Sequence, residues 1–180
     1  MDIEWQGSIE IAAPVERVYA YLADFPRHCE WAQTLERMEQ TKPGSSSGVG
    51  AVYRTYERQG FQSDRLPRGP LPEKASKGTT VCEVRELEPN RRIAWHADAT
   101  PKVGVHADLA FDLAPTNVGA TRLTQTIRMH QPWLMTKIFP LMFKLSMAEM
   151  DRRAREQWQA SLRNIKAIME EDAAAVAASD

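Results

Sequence analysis

The chain changes its hydrophobic period at a single residue. Up to Pro14 the apolar side chains Ile3, Trp5, Ile9 and Ile11 fall on one parity, the pattern of a strand buried on one face. After it Val15, Val18, Tyr19 and Leu22 recur at three- and four-residue spacing, which predicts an amphipathic helix. Pro14 suits the first helical turn, where no backbone N–H is needed, and Glu16 lies near the positive end of the helix dipole. Asp24, Phe25 and Pro26 break that helix and start a second short one ending near Trp31. A strand feeding directly into two short helices and then into more strands is an uncommon opening.

From there to residue 130 the sequence reads as a sheet. Strands are predicted over 34–42, 48–58, 79–88, 91–98, 103–113 and 120–130, separated by Pro-, Gly- and Asn-containing turns such as Glu88-Pro89-Asn90. Links this short cannot cross over a sheet, so the strands run antiparallel. The last long element has an apolar stripe of Phe143, Met147, Met150, Ala154, Trp158, Ser161, Leu162, Ile165 and Ile168, with arginines and lysines opposite. It predicts a long helix laid across the sheet. Together these elements define an α+β chain with one domain over 1–170, and 171–180 as a frayed tail without an apolar stripe.

In order, the strand before Ala13-Pro14, Val18-Tyr19, Asp24-Phe25-Pro26, Trp31, Val49-Gly50, Glu88 to Trp95, Gly119 to Leu123 and Leu162 to Glu170 resemble the polyketide cyclase/dehydrase branch of the START-like superfamily, the helix-grip fold. The resemblance spans nearly the whole chain. It implies a curved antiparallel sheet wrapped around the C-terminal helix, with a cavity between them. Relatives of this fold include lipid carriers, ring cyclases, quinone chaperones and protein-binding modules, so the fold alone does not name the activity.

Residues 58–78 form a Pro- and Gly-rich insertion long enough to be a lid or a disordered loop. The stretch from Trp133 to Met147 is the most apolar in the chain, and Pro140 should split it into a short leading piece and the long helix. That piece fits a lid over one end of the cavity better than a membrane contact, since Lys137 and Lys144 alone supply little attraction to anionic lipid.

Net charge is −1, which offers no electrostatic footprint for nucleic acid. The two cysteines, Cys29 and Cys82, have no metal-ligand spacing, and neither a metal nor a cofactor is expected. No signal peptide is read at the start, so a reduced cytoplasmic protein is expected. The resemblance implies a small hydrophobic ligand: a lipid, a quinone or an aromatic polyketide. The expected cavity measures several hundred Å³, a size typical of small-molecule sites. Its lining is expected from Trp31, Tyr53, Trp95, Phe111, Met129, Trp133, Phe143, Met147 and Met150. A second possibility is an aromatase/cyclase or dehydratase, with Tyr53, Arg54 or Arg128 polarising carbonyl groups. A third is a module that binds a partner protein or a membrane quinone. No acid/base pair emerges from spacing. Alternation points His106 and Asp108 outward, His28 and His96 read as surface residues, and His130 falls near the expected cavity mouth.

Overall fold

The computed structural model describes residues 2–32, 34–57, 79–100, 105–116, 119–130, 152 and 155–171. The insertion 58–78, the stretch 133–147 and the tail from 172 onward lie outside the described residues. Seven strands, β1 (Asp2–Ile11), β2 (Leu35–Lys42), β3 (Val52–Glu57), β4 (Thr79–Glu88), β5 (Arg92–Thr100), β6 (Val105–Pro115) and β7 (Thr121–His130), form one sheet. Their order is β1-β7-β6-β5-β4-β3-β2, and every neighbouring pair is antiparallel. Sequence neighbours β1 and β2 therefore stand at opposite edges, and the helices between them must cross one face of the sheet.

Strand β3 begins four residues later than alternation predicts. Gly48 and Gly50 both take positive φ, at 86° and 82°, so this segment turns instead of extending. The chain still bonds to the sheet there, Gly50 N–H to the Val84 carbonyl and Val84 N–H to the Ala51 carbonyl, each at 2.9 Å. Irregularities of register between β2 and β3, at Val84/Glu86 in the β4–β5 pair and at Asp98/Thr100 in the β5–β6 pair supply local bends. They let the sheet curl, so that one face is concave.

The covering helices follow from the sequence pattern with small shifts. Helix α1 (Val15–Ala23) has Pro14 at its N-cap, one residue before the predicted place, and its first turn closes on the Pro14 carbonyl. It buries Val15, Val18, Tyr21 and Leu22, while Tyr19 is only half-buried. A single 3-10 turn at Phe25–Arg27 then leads into the four-residue α2 (His28–Trp31). The Arg27 guanidinium lies 4.4 Å from the Tyr21 ring centre and bonds to Glu30, which tightens this corner from outside.

The C-terminal helix, α3, is described over 155–171. It lays Trp158, Ser161, Leu162, Ile165 and Met169 on the concave face. The buried stripe passes through Met169, with Ile168 half-buried beside it. Polar bonds hold its far end: Ala12 N–H to Glu170 Oε1 at 2.8 Å, Lys166 Nζ to the Glu10 carbonyl at 2.7 Å, and Asn164 Nδ2 to the Trp31 carbonyl at 3.1 Å. The Lys166 ammonium and the Ala12 amide hold the Glu170 carboxyl below the usual carboxylate range. Among the described residues no helix is long and apolar enough to cross a membrane.

Gly7 sits where β1 passes close to α3. A Cβ there would stand 2.8 Å from the Trp5 ring and 3.4 Å from Leu162, and Trp5 is itself wedged against Trp158 with ring centres 5.1 Å apart. Gly7→Val is therefore expected to destabilise the protein by about 1–3 kcal/mol through overpacking, read as a lower urea midpoint at unchanged m-value. An unchanged midpoint would show that α3 does not press on β1.

Candidate functional site

Phe25, His28 and Trp31 recur at three-residue spacing across the 3-10 turn and α2, so all three rings point at the concave sheet. There they meet inward residues of β3, β5 and β6. Phe25 stacks on Tyr53 with centroids 5.1 Å apart and meets Trp95 edge-on at 5.7 Å. His28 lies 4.8 Å from Trp31 and 5.5 Å from Trp95, and Trp31 meets Phe111 edge-on at 5.7 Å. Offset and edge-on contacts of this kind are favourable beyond the area they bury.

Beside this cluster, between sheet and α3, lies a pocket of about 160 Å³. Trp31, Trp95, Leu35, Met38, Leu109 and Ile127 form most of its apolar wall, with Trp158 and Ser161 contributed by α3. His28, Thr55, Cys82 and Gln125 add polar atoms, and among the described residues no lysine, arginine or carboxylate lines it. The larger cavity expected from sequence has Trp133, Phe143, Met147 and Met150 in its wall as well, and these lie outside the described residues.

Of the residues expected to line a cavity, Trp31 and Trp95 do so. Phe111 shares the concave face but is sealed behind the two tryptophans at 0 % exposure. Tyr53 points inward and is spent on stacking with Phe25; burial, with the nearby Asp24 charge, pushes its phenol pKa up. Met129 is half-buried near the end of β7 and is not part of this pocket. Trp133, Phe143, Met147 and Met150 lie outside the described residues. Sequence reading missed His28, Thr55, Cys82 and Gln125. The signal for Gln125 was present: it stands between the apolar Leu123 and Ile127 on the inward parity.

The arginine candidates stand on the other side of the sheet. Arg54 is exposed on the outer face of β3, since Ala51 and Thr55 on the opposite parity are buried. Arg128 is exposed and pairs with Glu4 of β1 at 3.2 Å. A guanidinium loses its hydration on burial, so the parity that points outward keeps it solvated. Neither is placed to polarise a carbonyl inside the pocket.

The remaining histidines, His130 included, collect on the outer face of the sheet. His96 Nδ1 lies 2.7 Å and His130 Nε2 3.2 Å from the two Asp108 oxygens. The His106 ring packs between the other two, 5.2 Å from His96 and 4.7 Å from His130. Burial raises the Asp108 carboxyl, but hydrogen bonds from His96 and His130 outweigh it and hold the group below the ordinary range. Among the described residues no group of His, Cys, Asp or Glu side chains is arranged to hold a metal ion.

His28 corrects the surface assignment most sharply: it is 2 % exposed. Its Nε2 lies 2.8 Å from the Leu22 carbonyl, an acceptor, so the Nε2 proton is donated there and the lone pair of the neutral ring sits on Nδ1. Burial lowers its pKa to about 4, with the Leu22 bond opposing only part of the shift. The unfolded chain takes up this proton near pH 6.5, the folded chain only near pH 4, so stability falls as pH drops through that window. The full loss amounts to about 3 kcal/mol. His28→Phe should flatten this part of the stability profile; denaturant midpoints at matched pH values between 6.5 and 4 measure it. Parallel profiles for both proteins would mean that His28 is protonated in the folded state.

Comparison with known proteins agrees with this geometry. The model of the family described as polyketide cyclase/dehydrase and lipid transport matches residues 2–170. Solved structures share the fold at low sequence identity. A START superfamily protein from Mycobacterium smegmatis is 13 % identical with TM-score 0.64, over 93 % of this chain and 97 % of that one. The Zhui aromatase/cyclase from Streptomyces sp. R1128 is 17 % identical with TM-score 0.68, over 94 % of each chain. The di-domain aromatase/cyclase StfQ of the steffimycin pathway is 16 % identical with TM-score 0.69, over 97 % of this chain and 52 % of that one. No curated protein sequence gives a match. A family model covering nearly the whole chain, and a curved sheet gripping a C-terminal helix, place this protein in the polyketide cyclase/dehydrase and lipid transport family of the START-like superfamily.

Proposed function

We propose that this protein binds a small, mostly apolar molecule in the pocket between the sheet and α3. The observation that carries this reading is an aromatic-walled space of about 160 Å³ in the seam where a closed core would place side chains. Apolar surface leaves water on entry, and the flat faces of Trp31 and Trp95 offer area at little entropic cost, since each ring is already held by its neighbours. A pocket lined mainly by apolar groups, with a few polar atoms to orient the guest, is the usual form of a small-molecule site.

Cyclisation or dehydration of a bound chain is the second reading. It is supported by the family's polyketide cyclase/dehydrase members, by two structural neighbours that are aromatase/cyclases, and by a neutral imidazole in the pocket. His28 has the lone pair a general base needs, but a pKa of about 4 makes it a weak one at neutral pH. Binding is therefore the stronger conclusion, and any catalysis would rest largely on positioning.

Native mass spectrometry of the purified protein, followed by organic extraction, identifies a co-purifying ligand. Ala97→Leu, which pushes bulk into the pocket, should reduce affinity for that ligand at least about tenfold, or about 1.4 kcal/mol. Arg54→Ala and Arg128→Ala, on the outer face, should leave it within about threefold, or about 0.7 kcal/mol. Loss of binding in the arginine variants with retention in Ala97→Leu would place the ligand elsewhere.

A further inference from the structure

His28 has two ring nitrogens, and the fold uses one of them. The Leu22 carbonyl lies in the last turn of α1, and its helical partner four residues on would be Pro26, which has no N–H. The His28 Nε2–H, 2.8 Å away, donates to it instead. Neighbouring rings then fix the imidazole: Phe25 stacks on it at 4.7 Å, and Trp31 and Trp95 stand 4.8 and 5.5 Å from it. The second nitrogen, Nδ1, carries a lone pair and has no hydrogen-bond partner among the described residues. Capping α1 accounts for Nε2 alone.

Among the described residues, the side-chain polar atoms that are both sealed and unpartnered are Trp31 Nε1 and Gln125 Oε1. Nδ1 is unpartnered but not one of them, so it keeps some open surface, and the space its residue lines is the pocket. An unmade acceptor in so apolar a place is a standing cost that a guest can remove. Burial keeps the ring neutral at physiological pH, so the guest must bring the proton. A quinone, ether, ketone or carboxylate offers only lone pairs and would face one lone pair with another. An ammonium could donate, but among the described lining residues no carboxylate would balance its charge. A hydroxyl donates without charge, and an aromatic ring beneath it matches the flat walls of Trp31 and Trp95.

We infer that His28 is a specificity-determining residue of this pocket and that its ligand is a neutral hydroxylated aromatic compound whose hydroxyl donates a hydrogen bond to Nδ1. This rests on the proposal that the pocket binds a small, mostly apolar molecule. It adds the polar group by which that molecule is selected.

Three matched probes test it by calorimetry at neutral pH. Para-ethylphenol carries a donor, para-ethylanisole an oxygen without a donor, and para-ethyltoluene neither. His28→Phe keeps a flat ring and removes the lone pair. It should weaken para-ethylphenol by about tenfold relative to each of the other two probes. Unchanged affinity for para-ethyltoluene would show that the pocket survives the substitution. Ring nitrogen-15 NMR of the wild type needs no variant: para-ethylphenol should move the Nδ1 resonance of His28 towards that of a protonated nitrogen, and para-ethyltoluene should not. The same discrimination among probes in wild type and variant, or an Nδ1 signal that para-ethylphenol leaves in place while it binds, would overturn the inference and leave the binding reading standing. So would failure of all three probes to bind when native mass spectrometry shows a co-purified ligand. If no probe binds and nothing co-purifies, both readings fall.

Discussion

Phe25 is the point on which the arrangement turns. It opens the 3-10 turn that follows α1 on the crossing to the far edge of the sheet, and is 1 % exposed. Its ring touches His28, Tyr53 and Trp95, so a single side chain ties the crossing segment to β3 and β5. The crossing is obligatory because β1 and β2 occupy opposite edges of one sheet. Without an apolar anchor at its midpoint, the segment would have to order about ten residues against their conformational entropy with little to offset the cost. The aromatic cluster supplies that offset, and the pocket is the space left beside it.

The two faces of the sheet solve different physical problems. The concave face carries tryptophan, phenylalanine, isoleucine and leucine, and covers them with three helices. The outer face places charged groups in cross-strand pairs: Arg92 with Glu86 and Asp112, Arg128 with Glu4, and His96 and His130 with Asp108. Such exposed pairs add little stability each. Their effect is on register, since a one-residue slip would drive every charge into the core. The same parity rule turns the strand arginines away from the pocket, and among the described residues His28 and Cys82 are its titratable side chains.

Much of this architecture was legible in the chain itself. Local rules decided it: alternation marked β4 to its residue, the apolar spacing after Pro14 marked α1, and Asp24-Phe25-Pro26 marked the break. Those signals are carried by neighbours in sequence, and neighbours in sequence are what a pattern reads. The inward parity of Ile93, Trp95, Leu123 and Ile127 followed in the same way, and with it Trp95, one of the tryptophans that wall the pocket.

What the sequence withheld depended on atoms brought together from distant segments. His28 looked like a surface residue because a four-residue helix carries too little pattern to show its buried side; its burial is decided by Trp95, far along the chain. Arg54 remained a site candidate because the register of β3 depends on the irregular pairing with β2 and on a turn at Gly48 and Gly50. Cavity size was equally invisible, since composition counts side chains without showing how rings from α2, β5 and β6 nest. The unpaired N–H of Trp31 and the amide oxygen of Gln125 belong to the same class. Sequence shows that these polar atoms exist; only the packed structure shows that nothing in the described protein answers them.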